Sequence, residues 1–320
     1  MKEIFTLKDL DTLKNIDVFI CAAGFENRSY IIPTALATIE IPNSIIFYIN
    51  DFYIENINNA DKIYSILNSN FKQRVELKYN NPSFSYKAIK EVIENNLNGI
   101  NISGKILIDI TTFSHEHLLM FIKIISEYQN LTDKIVFCYL ESKEYSIDEK
   151  DYDKKWLTKG IKEVRTIIGY PGNFDPSKEN HLLIIMGFEN ERTKKIIEIF
   201  DYEHITLING AIEESINNEH YAINKSKCNN LIELFPNINN IEVSVIDIIK
   251  CKKHIEAYLD IYNNCNNVII PMNNKISTIA CGLLGISNKD IQLSYISAEV
   301  YNKFNYSMHG ENVHMFKNIF

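Results

Sequence analysis

Four stretches of this sequence combine small, hydroxyl, charged and aromatic residues in patterns suited to a phosphorylated ligand. The first is Ala22-Ala23-Gly24-Phe25-Glu26-Asn27-Arg28-Ser29. Its small residues allow close backbone approach. Glu26 would accept from a ribose hydroxyl or a base, and Arg28 would pair with phosphate through its forked guanidinium. The second runs from Asp109 through Thr111, Thr112, Ser114, His115 and Glu116 to His117. Its hydroxyls would cap a helix or hold an anion at a helix N-terminus. Were the chain an enzyme, Glu26 or Asp109 would serve as base and His115 as proton donor. The third, Pro271 to Thr278, sets Asn273, Asn274 and Lys275 ahead of Ser277 and Thr278, a seat for phosphate. The fourth, Tyr301 to Gly310, interleaves Tyr301 and Tyr306 with Ser, His and Gly, to stack on a base or to line an interface.

Each stretch also has an ordinary reading: a tight turn with a solvated Glu26–Arg28 pair, hydroxyl caps, a surface lysine. None is a recognised nucleotide signature. One glycine stands where the dinucleotide fingerprint needs three, and the glycines of a P-loop are missing around Lys275. His115-Glu116-His117 lacks the HExxH spacing, so no metal site is expected. No cofactor is expected either, nicotinamide and flavin included.

The elements that would position these loops read as α/β. Short continuous apolar runs alternate with helix-length periodic segments, the pattern of βαβ units around a mostly parallel sheet. In the first half the runs are Asp17–Ala22, Ser44–Ile49, Arg74–Leu77, Lys105–Ile110 and Lys134–Leu140. In the second they are Leu182–Met186, Ile205–Ile208, Glu242–Ile246, Asn267–Pro271 and Ile291–Ile296. Tyr170-Pro-Gly-Asn-Phe-Asp-Pro176 reads as a linker, which sets domains at 1–170 and 171–320.

The halves repeat one another. Gly24-Phe25-Glu26-Asn27 follows the first run of one half, and Gly187-Phe188-Glu189-Asn190 follows the first run of the other, 163 positions on. Arg192 then stands one place further along than Arg28 does. The loops at Asp109 and Pro271, after the fourth run of each half, are 162 positions apart. Two tandem, duplicated Rossmann-like domains are therefore expected, with function on the loops at the carboxyl ends of the strands.

Composition narrows the partners. A formal net charge of −8, from 33 basic and 41 acidic residues, argues against a binder of long nucleic acid but leaves room for a nucleotide pocket. Six scattered cysteines without a CxxC pair suit a reducing compartment, and the charged N-terminus is no signal peptide. No apolar stretch reaches the roughly 18 residues of a membrane span. The expectation is a soluble cytoplasmic protein, with a homo-oligomer left open. Trp156 lies in the charged stretch 148–162 and is expected to pack a connector.

Gly24–Arg28 together with Asp109-Ile110-Thr111-Thr112 resembles the two ligand-facing motifs of CARF (CRISPR-associated Rossmann fold) domains, and Asn273-Asn274-Lys275 is similar to the end of the second motif. The sequence departs from that family at Ser114-His115, where a basic residue is usual, and at Pro271, which replaces the aspartate. The resemblance implies recognition of a cyclic or linear oligonucleotide messenger, with a tandem repeat acting as a pseudo-dimer. It also implies a separate effector protein and a bacterial antiviral setting. Three functions follow: a nucleotide-ligand sensor, an enzyme acting on a nucleotide or sugar phosphate, and an interaction scaffold.

Overall fold

The computed structural model describes residues 2–320. Two compact units divide the chain, one formed by Met1–Lys143 with Met308–Phe320 and the other by Glu144–Ser307. The first unit opens with strands β1 (Lys2–Thr6) and β2 (Ile16–Ala23), then helix α1 (Ile31–Ala35), β3 (Ile41–Ile49), α2 (Ile54–Ile66) and β4 (Ser69–Leu77). It continues with α3 (Pro82–Ile93), β5 (Lys105–Asp109), α4 (His115–Ile125), α5 (Gln129–Thr132) and β6 (Ile135–Tyr145). The second unit begins with β7 (Thr158–Lys159), β8 (Glu163–Pro171), β9 (Glu179–Ile185), α6 (Asn190–Phe200), β10 (His204–Gly210) and α7 (Asn218–Leu234). Then come β11 (Asn239–Val243), α8 (Ile248–Leu259), β12 (Cys265–Pro271), α9 (Lys275–Ser287), β13 (Gln292–Ser297) and β14 (Val300–Tyr301). The last strand, β15 (Ser307–Lys317), returns to the first unit's sheet.

The first sheet has the order β1-β15-β6-β5-β2-β3-β4 and the second β11-β10-β9-β12-β13-β8. The five strands expected in each half lie in the same order, third-second-first-fourth-fifth, joined by parallel ladders. This is the doubly wound, Rossmann-like order. Both sheets then gain strands beyond the fifth: β15 and its antiparallel partner β1 in one, antiparallel β8 in the other. Two mostly parallel sheets of one topology agree with the expected duplication.

The continuous apolar runs become central strands because both their faces are covered. Phe19, Cys21, Leu107, Val136 and Cys138 share the first core, and Leu182, Ile184, Met186, Leu207, Val268 and Ile270 the second. Helix α4 is buried on nearly every side. Asparagine does much of the capping: Asn81, Asn217 and Asn274 accept from backbone N–H groups at the starts of α3, α7 and α9.

The domain boundary differs from the expected one. Tyr170 and Pro171 close the edge strand β8, where a proline costs no ladder bond, and the chain crosses between units near residues 143 and 307 instead. Several elements are also longer than their apolar cores. Helix α2 starts at Ile54 and α7 at Asn218, each with a polar first stretch. Strand β11 ends at Val243, earlier than the expected Ile246. Among the described residues, no helix is long and apolar enough to cross a membrane.

Candidate functional site

The strand order reverses between β2 and β5 in the first sheet, and between β9 and β12 in the second. Ligands of open α/β sheets settle at such switch points. Three of the four predicted stretches, and the Gly187 loop that repeats the first, follow these four strands; the stretch from Tyr301 to Gly310 does not.

In the first unit the two loops close on each other. A Cβ on Gly24 would lie 3.1 Å from the Thr112 Cβ. Ser29 Oγ donates at 2.9 Å to the Gly24 carbonyl and at 2.8 Å to that of Glu26, and Asn59 donates to Gly24 at 2.8 Å. Thr112 donates to the Ala22 carbonyl. Phe25 packs edge-on against Tyr53 with centroids 5.5 Å apart. Arg28 is buried; it pairs with Glu26 at 2.8 Å and donates to the Leu140 carbonyl on β6 at 3.2 Å. Thr111 accepts from the Leu140 N–H at 3.0 Å, and its own N–H donates to Asp109 at 2.9 Å. Burial pushes the Asp109 carboxyl up to about 6, against the bonds from Thr111 and the charge of Arg28. Ser114 caps α4 by accepting from the His117 N–H at 3.1 Å, and its Oγ lies 2.9 Å from His117 Nδ1. His115, the first residue of α4, is half-buried. The structure thus gathers Gly24, Glu26, Arg28, Asp109, Thr111 and Thr112 and pairs most of them internally.

The second unit repeats the plan with one change. A Cβ on Gly187 would fall 2.5 Å from the Met272 carbonyl and 2.6 Å from Glu189 Oε2. Asn273 donates to the Met186 carbonyl. Asn274 donates to the Val245 carbonyl at 2.7 Å, and Thr278 donates to the Asn274 carbonyl at 2.9 Å. Arg192 is buried and donates to the Ile296 carbonyl on β13, as Arg28 does to β6. Its other bond, however, goes to Thr158, whose hydroxyl reaches Glu189 Oε1 at 3.3 Å. Glu189 is only 7% exposed, and its Oε2 is buried without a hydrogen-bond partner. Burial raises its carboxyl above the usual range, with Arg192, Thr158 and Lys227 opposing.

Beside Glu189 lies a cavity of about 590 Å³. Asn190 and Glu191, at the N-terminus of α6, line it, as do Trp156, Thr158 and Lys159 from the connector. Lys194 and Lys227 also line it, with Asp153 and Glu149. Lys227 is almost fully buried, donates to the Asp153 carbonyl at 3.1 Å, and is held below the usual lysine range by burial. Lys159 sits 4.4 Å from the centre of the Trp156 ring.

Of the residues predicted from sequence, Glu189 faces this cavity directly, and Arg192 reaches it through Thr158. Arg192 is a buried brace, its guanidinium committed to Thr158 and the Ile296 carbonyl. Lys275 begins α9, and Tyr301 and Tyr306 belong to an aromatic cluster with Tyr145; none of the three lines the cavity. Trp156, expected only to pack the connector, stands at the cavity wall. Residues 149–159 were missed as a site because they read as a solvated charge run; their one signal was the chain's single tryptophan among lysines.

No protein-family model matches the chain, and no curated protein matches its sequence. Among solved structures, an isoflavone reductase aligns over 88% of this chain and 79% of its own, with 13% identity and a TM-score of 0.26. An N-terminal ketoreductase from a macrolactin assembly line aligns over 84% and 63%, with 9% identity and a TM-score of 0.22. A structure with adenylation, ketoreductase and pseudo-Asub domains, from a keto acid-selecting NRPS module, aligns over 75% of this chain at 8% identity and a TM-score of 0.23. The chain spans 18% of that last protein. The fold assignment rests on the strand order of the two sheets.

Proposed function

We propose that the chain is a binding module for a nucleotide-type phosphorylated ligand, seated in the cavity at the start of α6, and that occupancy is passed to a separate effector protein. The observation that carries this reading is Glu189, a buried carboxylate in the wall of that cavity whose Oε2 has no hydrogen-bond partner. A buried acceptor without a donor costs about 1–3 kcal/mol, and a ligand hydroxyl or amine would supply the donor. Around it stand the other parts such a ligand needs: an indole for a base, Lys159, Lys194 and Lys227 for phosphate, and the N–H groups of an 11-residue helix. The volume is that of an ordinary small-molecule site. The resemblance to CARF domains points to an oligonucleotide messenger within this class, and with it a defence role. Binding is favoured over turnover because Glu26 and Asp109, the carboxylates an enzyme would use, are engaged by Arg28 and Thr111.

The test is thermal melting against mononucleotides, cyclic di- and trinucleotides and cyclic oligoadenylates, with mass spectrometry of each ligand afterwards. A ligand at about 100 times its Kd adds roughly 2.7 kcal/mol. The expected result is a shift of several degrees with the ligand recovered intact, lost in Trp156→Ala and Lys194→Ala, whose own melting stays unchanged. A shift with the ligand altered would mean an enzyme; no shift with any of them would favour the scaffold.

A further inference from the structure

We infer that Glu179, His204 and Cys265 form a site for a thiophilic divalent cation of the zinc class, at the end of the second sheet opposite the switch point. These are the first residues of β9, β10 and β12, three adjacent parallel strands with β9 in the middle. Cys265 is the register partner of Glu179. His204 is the partner of His181, two residues on and therefore on the same face of β9. One carboxylate oxygen, one imidazole nitrogen and the thiol sulfur lie within 4.8 Å of one another. Tetrahedral zinc, with bonds of about 2.0–2.3 Å, holds its ligand atoms roughly 3.3–3.8 Å apart, so the longest separation must close by about 1 Å while the His204–Glu179 pair opens slightly. Glu179, whose side chain is 66% exposed, has the freedom to supply that movement.

The donor types select the metal. Thiolate and imidazole together suit zinc, whereas calcium and magnesium take all-oxygen sets. Three protein ligands with solvent access leave a fourth position for water. The surroundings hold the histidine in place: its Nε2 is 2.7 Å from Glu179, and its ring lies 5.3 Å from that of Tyr262. Beneath it His181, fully buried, is committed to Asn267 and Thr206 and stacks on Tyr262, so it forms the floor and not a ligand. On binding, the Cys265 thiol gives its proton to solvent and the sulfur bonds the metal. The proton shared between His204 Nε2 and Glu179 passes to His204 Nδ1 or to solvent, and their hydrogen bond is exchanged for two metal bonds, with no change of oxidation state. This site is independent of the cavity at α6.

The test uses the reduced, metal-stripped full chain titrated with Co²⁺ and then Zn²⁺. One equivalent of Co²⁺ should produce a near-ultraviolet thiolate-to-cobalt charge-transfer band, which Zn²⁺ displaces. Cys265→Ser should abolish the band, and Glu179→Gln and His204→Gln should each weaken binding at least tenfold, all three keeping the metal-free melting temperature. Zn²⁺ should raise the melting temperature of the wild type and not of Cys265→Ser. Absence of the band in the wild type overturns the proposal, as does a band that survives Cys265→Ser. Should Cys265→Ser fail to fold, unchanged binding in both remaining variants overturns it.

Discussion

At the scale of single residues, the two loop glycines do one job under different constraints. Each lets the loop after a central strand (β2 or β9) press against the loop after its neighbour (β5 or β12), and neither is there for a left-handed backbone. A methyl on Gly24 meets side-chain and backbone atoms of Thr112 at 3.1–3.3 Å, a gap that small movements can open. On Gly187 it meets a backbone carbonyl at 2.5 Å, which cannot yield without shifting the loop after β12. Gly187→Ala should therefore cost the second unit about 1–3 kcal/mol, and Gly24→Ala should cost the first clearly less; urea denaturation of both variants decides. Asp109 gives a pH signature. Its folded carboxyl titrates near 6, above the unfolded value, so the native state binds the proton more tightly. The first unit is therefore most stable, in this respect, below about pH 4, and loses stability as the pH rises through 6. Asp109→Asn should flatten that slope and recover up to roughly 2–3 kcal/mol at pH 7. A slope unchanged in the variant would assign it to another group. These pairings were only half legible. The sequence presents Glu26, Arg28, Glu189 and Arg192 as charged loop residues; that both arginines reach carbonyls on the fifth strand of their sheets depends on folded distance, which spacing alone does not carry.

At the scale of elements, the central strands were legible because burial on both faces leaves continuous apolar runs. The strands at or near the sheet margins were not. β1, β8 and β15 mix charges with apolar residues, as in Ser307–Lys317, without the in-and-out alternation by which a half-solvated antiparallel strand is read. Yet β15 holds much of the first sheet's margin together. It lies between β6 and β1, Asn312 donates to Glu141 at 2.8 Å, and Lys317 pairs with Glu3 at 2.9 Å. Removing residues 308–320 takes away β1's sheet neighbour and bares the outer edge of β6. Hydrogen exchange should then show protection lost across β1 and β6 while β9 to β13 keep theirs. Equal loss in both units would mean that the strand supports more than its own sheet.

At the scale of the whole chain, two copies of one topology have diverged in one pairing. The first closes its glutamate onto its arginine directly, whereas the second interposes Thr158, a residue from outside the repeated pattern, and leaves one buried oxygen of the cavity-lining Glu189 without a partner. The repeat was legible from two loop offsets. The inserted threonine was not, because it comes from the charged connector, outside the apolar runs that repeat. The connectivity also differs from two beads on a string: the second unit occupies the interval between β6 and β15 of the first. On the ribosome, β1 emerges some 300 residues before the strand it pairs with. The second unit is complete before that strand is made. The first sheet must wait through that interval with β6 unpaired on one side and β1 unattached, the period in which a nascent chain is most open to a chaperone or to a neighbouring copy.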